Sequence, residues 1–277
     1  MKKLLFSLIL LSLFGLSHAQ HSAAKAGEMV VIEGDYFGDP IDGYNLYLPK
    51  TYPSSLQSYP VLIYLCGGSS VGGEIDVVKR WPIPKLLVEE TDMSLERNQY
   101  ALDSFIVVAP HMKAGPFRER QWYLNEGAIE MILSEVYEKY NADPYRVYIT
   151  GLSRGGHGTW GLISKMGDQF AAAVPIAGET HGVEGYDKML NLPIWTVHNT
   201  RDNTVGDGDT KKIVKKLEDL TGEEFLKLDS PTGAGSTYLS HNRIYSSVPK
   251  EGHDAWSPMY ESVEFYKWLL KHRLKNS

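Results

Sequence analysis

Residues 60–66, PVLIYLC, form an unbroken apolar run. A strand with one wet face alternates apolar and polar residues, whereas a run without polar positions fits a strand covered on both faces. FIVVAP (105–110) has the same character, and RVYITG (146–151), AAAVPIAG (171–178) and LPIWTVH (192–198) repeat the strand type. Helical spacing fills the intervals. In EGAIEMILSEVYEKY (126–140), Ile129, Ile132, Leu133, Val136 and Tyr140 share one face. DTKKIVKKLEDL (209–220) is amphipathic, and PMYESVEFYKWLLKH (258–272) reads as a last helix. VVIEG and YNLYLP read as early antiparallel strands, and NRIYSSV (242–248) as the last strand. Such alternation over roughly 200 residues predicts an α/β fold, a mostly parallel central sheet with helices on both faces. No repeat, linker or shift of composition divides the chain, so residues 28–277 read as one domain.

Function in such sheets gathers beyond the carboxyl ends of the strands. One strand end stands out. RVYIT runs into Gly151-Leu152-Ser153-Arg154-Gly155, a G-x-S-x-G pattern set between a strand and a helix that starts near Arg154. The chain must reverse so sharply there that side chains two residues either side of the serine would collide with neighbouring backbone. The serine hydroxyl is thereby held clear of the sheet, at a helix amino end that favours developing negative charge.

A serine hydroxyl becomes a useful nucleophile when a base takes its proton, and that base is oriented by a carboxylate. In this arrangement the chain order is serine, acid, histidine. Six histidines follow Ser153: His157, His181, His198, His241, His253 and His272. His157 lies one helical turn past the serine and cannot swing back over it, and His272 sits in the terminal helix. His253, in the loop between the last strand and the last helix, is the expected base. The acid should follow LPIWTVH, where Asp202, Asp207 and Asp209 are the candidates. Asp202 lies nearest the strand end and is the choice; Asp207 and Asp209 suit capping of the next helix. Their spacing does not fit the alternating ligands of an EF-hand loop. Acyl transfer also needs donors for an oxyanion. The backbone N–H of Arg154 should supply one, and Gly67 or Gly68, in the loop CGGSSVGG after PVLIYLC, the other.

Composition narrows the setting. The net charge is −6 with no block of like charge, which leaves no nucleic-acid groove and no polybasic membrane patch to expect. Residues 1–19, MKKLLFSLILLSLFGLSHA, have the lysines, apolar run and small terminal residues of a secretory signal, cleaved after Ala19. No later segment reaches the roughly 18 apolar residues of a membrane span. The lone cysteine, Cys66, allows no internal disulfide. A secreted or periplasmic protein is expected.

LYLPKTYPSSLQSYPVLIYLCGG, GLSRGGHGTW, VHNTRDNTV and EGHDAWSPMYESVEFYKWLL together resemble the α/β-hydrolase superfamily. Within it they are similar to secreted esterases related to feruloyl esterases, polyhydroxybutyrate depolymerases and the "predicted peptidase" esterase group. The resemblance runs from about Tyr44 to Leu270. It implies Ser153 as nucleophile, Asp202 as acid and His253 as base, in agreement with the residue-level reading. Such proteins usually carry His-Gly where this chain has Cys66-Gly67. Cys66 would fill that place as a small apolar residue rather than as a second nucleophile.

Two stretches should border the site: 111–125, with Arg118, Arg120, Trp122 and Tyr123, and 179–187. Trp122 and Trp256 are candidates for stacking on a sugar or a phenolic acyl group. No insertion resembles a large lid domain. Export with an open cleft points to an ester carried on a polymer, such as an acyl or feruloyl group on polysaccharide. No cofactor is expected, and no H-E-x-x-H or clustered metal-ligand pattern occurs. The rival readings are a serine peptidase of the same fold and a non-catalytic binding protein built on it. The oligomeric state is open.

Overall fold

The computed structural model describes residues 24–34, 36, 40–53, 58–116, 120–231 and 235–275. The signal reading of residues 1–19 and the position of Arg118 lie outside these described residues.

Among the described residues, nine strands form one sheet. They are β1 (Met29–Glu33), β2 (Ile41–Tyr47), β3 (Tyr59–Leu65), β4 (Ile106–Met112), β5 (Ala142–Leu152), β6 (Ala172–Ile176), β7 (Ile194–Arg201), β8 (Leu226–Leu228) and β9 (Arg243–Glu251), in the order β1-β2-β4-β3-β5-β6-β7-β9-β8. The β1–β2 and β2–β4 pairs are antiparallel, the rest parallel. The helices are α1 (Pro82–Glu89), α2 (Glu96–Ser104), α3 (Glu126–Lys139), α4 (Arg154–Met166), α5 (Gly208–Thr221), α6 (Ser257–Tyr260) and α7 (Val263–Lys271).

The apolar runs explain the layering. Side chains alternate across a strand, so consecutive residues feed opposite faces. Val61, Ile63 and Leu65 join Ile132 and Val136 of α3, Trp160 and Ile163 of α4, and Ile213 and Leu217 of α5 in one core. Leu62, Tyr64 and Cys66 join Ile83 of α1, Leu102 of α2, and Phe265, Trp268 and Leu269 of α7 in the other. β3 therefore has no exposed face, and all seven of its residues are buried. This is the expected α/β-hydrolase architecture, with helices on both faces. Between β6 and β7 the chain makes only a short 3-10 turn, Asp187–Met189, not a helical lid.

Some elements differ from the sequence reading. The single helix expected over 258–272 is two, broken at Glu261–Ser262. Ser262 caps the second piece, its Oγ accepting from the Glu264 amide at 3.1 Å, and this local bond competes with continuous helix. Helices α1 and α2 and the short β8 were not anticipated. Asp207 occupies the N-cap position of α5 but makes no side-chain capping bond; its carboxylate pairs with Lys211 Nζ at 2.7 Å instead. Asp209 pairs with Lys212 Nζ at 3.0 Å, also a salt bridge within the helix rather than a cap.

Candidate active site

Ser153 sits between the last residue of β5 and the first of α4, with φ 53° and ψ −118°. That is the left-handed side of φ space, which a non-glycine residue occupies only when its surroundings enforce it. The surroundings are the two motif glycines. A Cβ on Gly155 would lie 1.9 Å from the Leu65 carbonyl oxygen, and one on Gly151 would lie 2.4 Å from that of Gly155. With both absent, the start of α4 packs directly against the end of β3 and the turn closes. The Ser153 amide donates to Ile176 O of β6 at 2.9 Å, fixing the elbow to the neighbouring strand.

β7 delivers Asp202 one residue past its end. Its side chain is fully buried, and Oδ1 accepts from the amides of Thr204 at 2.9 Å and Val205 at 3.0 Å. β9 delivers His253. The turn before it is tied to the end of β7: Gly252 N donates to Arg201 O at 3.2 Å, and Asn199 Nδ2 donates to Gly252 O at 2.8 Å. The three side chains meet in line. His253 Nδ1 lies 2.6 Å from Asp202 Oδ2, and Nε2 lies 2.8 Å from Ser153 Oγ. An ionised carboxylate only accepts, so Nδ1 carries the proton and Nε2 is left to accept from the serine hydroxyl. Burial pushes the Asp202 carboxyl up. The bonds from His253 and the two amides outweigh it and hold the acid below its usual range, hence ionised.

His198, which sequence reasoning passed over, supports the acid. Nε2 donates to Val205 O at 2.9 Å, Nδ1 accepts from Thr210 Oγ1 at 2.8 Å, and Nε2 lies 3.5 Å from Asp202 Oδ2. Burial lowers its pKa, so a neutral ring braces the turn that carries Asp202. Its place inside β7, four residues before Asp202, was the available signal. His157 meets Glu179 Oε2 at 3.1 Å. His181 meets the same oxygen at 2.9 Å.

Gly67 and Gly68 lie beside the serine. A Cβ on Gly67 would be 3.7 Å from Ser153 Cβ, and one on Gly68 would be 3.4 Å from the Arg154 guanidinium. Gly67 O accepts from Ser70 Oγ at 2.7 Å, which folds the loop back over the elbow. Arg154 is the first residue of α4, so its N–H stands at the helix amino end beside Ser153. The Cys66 thiol is buried on the far face of the sheet, and loss of solvent pushes its pKa up to about 12.

Trp122 requires a correction. It is 1% exposed and offers no ring face to a substrate. Its Nε1 donates to Cys66 O at 3.0 Å, so it anchors the loop that carries Gly67 from beneath. A buried indole needs a partner for its N–H, and the carbonyl of the loop supplies one. Trp256 is half-buried and meets the His253 ring edge to face, with centroids 5.0 Å apart. Among the described residues no cluster of three or more His, Cys, Asp or Glu could hold a metal ion. Among the same residues no helix is long and apolar enough to cross a membrane.

A serine on a strained strand-to-helix turn, with histidine and carboxylate reaching it from two further strand ends of a mostly parallel sheet, places the chain among the α/β-hydrolases. It belongs to the dienelactone hydrolase family, whose model matches residues 117–266. Over 125 residues, 42% of this chain, it is 28% identical to the bifunctional acetylxylan esterase/xylanase XynS20E of Neocallimastix patriciarum. The match spans 17% of that relative's length. A thermostable esterase superposes with a TM-score of 0.63 at 24% identity, covering 89% of this chain and 63% of its own. Acetyl xylan esterase from Aspergillus awamori gives 0.61 at 17% identity, over 88% of this chain and 100% of its own.

Proposed function

We propose that this hydrolase is a secreted or periplasmic serine esterase that cleaves acyl or feruloyl esters carried on polysaccharide. The observation that carries the chemistry is the unbroken hydrogen-bond line from Asp202 through His253 to Ser153. Ser153 Oγ attacks the ester carbonyl carbon while His253 Nε2 takes its proton. Asp202 stays ionised and steadies the imidazolium. The tetrahedral oxyanion accepts from the backbone N–H of Arg154 and of Gly67 or Gly68. Collapse expels the alcohol, protonated by His253, and leaves an acyl group on Ser153. A water deprotonated by the same imidazole then attacks the acyl-enzyme and frees the acid.

The substrate class rests on the acetylxylan-esterase relative, on the signal-like residues 1–19, and on a cleft with no helical lid between β6 and β7. A panel of p-nitrophenyl acetate, acetylated xylan, feruloylated xylan and a peptide anilide tests the reading. Cleavage of the aryl ester and of at least one xylan ester is expected. Cleavage of the anilide with both xylan esters untouched would make the chain a peptidase instead.

A further inference from the structure

A cleft of about 550 Å³ opens between the start of α1 and α6, with Trp81 and Trp256 among its lining residues. Its two sides continue the two loops of the reaction centre. The segment that carries Gly67 and Gly68 runs through two 3-10 turns, Gly68–Ser70 and Ile75–Arg80, straight into Trp81. The loop that carries His253 runs straight into Trp256, whose ring touches the imidazole.

The position has a chemical meaning. The histidine that gives a proton to the departing alcohol must stand beside that oxygen. The carrier of the alcohol therefore lies on the His253 side of the scissile bond, the side on which Trp256 and the cleft lie. The lining also selects. Arg80, Lys85 and Arg97 are matched by Glu89, Glu90 and Glu261, three positive groups against three negative. Arg97 pairs with Glu90 at 2.9 Å and Lys85 with Glu89 at 3.7 Å. A wall so balanced gives no net attraction to an anion or a cation, and its charged groups repel a purely apolar chain. It suits a neutral ring with apolar C–H faces and a rim of hydroxyls: the faces lie on indole, and the hydroxyls meet carboxylates and guanidinium groups.

We propose that this cleft is the glycan subsite, seating a neutral pyranose unit of the ester-bearing chain between Trp81 and Trp256. The assignment rests on the proposed esterase reading and adds Trp81 as a specificity residue. The test compares the native chain with Trp81→Ala and Trp81→Phe on two substrates, p-nitrophenyl acetate and an acetylated xylo-oligosaccharide. Trp81→Ala should raise KM for the oligosaccharide about fivefold to tenfold with kcat unchanged. Trp81→Phe should recover most of that, and both should keep native activity on the small ester, which also reports intact folding. If Trp81→Ala does not fold, Ser153→Ala, which cannot turn over the oligosaccharide, is titrated with it while tryptophan fluorescence is read; a saturable change that Trp81→Phe diminishes is expected. Native KM in the Trp81 variants, an equal loss on both substrates, or a change indifferent to Trp81 overturns the subsite and leaves the esterase reading standing. A native chain that hydrolyses the aryl ester and no glycan ester overturns both.

Discussion

His253 and His272 both lie in the chain's last segment, the first part-buried and the second buried, and they differ in what their ring nitrogens meet. His253 lies between the Asp202 carboxylate and the Ser153 hydroxyl, with a partner on each ring nitrogen. His272 follows α7 and packs edge to face on Trp268, with centroids 4.5 Å apart. Its Nε2 has no hydrogen-bond partner among the described residues, and burial drives its pKa down to about 3. Enclosure alone makes a histidine inert. A histidine whose Nδ1 donates to a carboxylate while its Nε2 faces a hydroxyl is placed to act as a base, and the partner on each nitrogen, not the residue type, separates the two.

The largest effect is expected from Ser153→Ala, which removes the hydroxyl that faces His253. Its turnover should fall on the order of 10³-fold or more on p-nitrophenyl acetate, measured at saturating substrate. Asp202→Asn removes the acceptor that fixes the imidazole, and turnover should drop on the order of 10³-fold. That substitution also has a stability signature. Asp202 titrates below its unperturbed 3.8 in the native chain, so its contribution is complete above pH 3.8 and is lost as pH falls through the lower native value. Thermal melts of native and Asp202→Asn chains should differ at neutral pH and converge in acid.

His272→Phe sharpens the contrast at smaller amplitude. The unfolded chain protonates this imidazole below about 6.5, the native chain only below about 3. Stability is therefore full above pH 6.5 and declines as pH falls from there toward 3. Replacing the ring by phenyl should flatten the melting temperature over that interval and leave esterase turnover unchanged; an unchanged slope would show that His272 is not the group titrating. The smallest effect concerns a third buried group. With its thiol pushed up to about 12, Cys66 should resist iodoacetamide at pH 8 in the native chain and react at once after denaturation.

The candidate site was more legible in the sequence than its surroundings, for a physical reason. Gly151 and Gly155 are required by contacts below 2.5 Å, so the elbow left an imprint on residue identity. Asp202 and His253 lie just past β7 and β9, at the strand ends to which the order of the chain pointed. The alternation of apolar runs likewise dictated the central strands, each covered on both faces. Trp122 was misjudged because a tryptophan beside a strand end looks the same whether its ring faces a ligand or a core; only the bond from its Nε1 to Cys66 O separates the two. Helices α1 and α2, of eight and nine residues, are too short to show a repeated apolar face and were missed, and with them the cleft beside Trp81. His198 was passed over because support of a neighbouring loop has no spacing rule.

The central claim is that Ser153 is a nucleophile activated by His253. A fluorophosphonate probe reacts with a serine only when its hydroxyl is so activated. Mass spectrometry of the labelled native chain should locate one adduct on Ser153, formed far more slowly in His253→Ala and absent in Ser153→Ala. An adduct on another residue, or a native chain that takes up no label, would contradict the account.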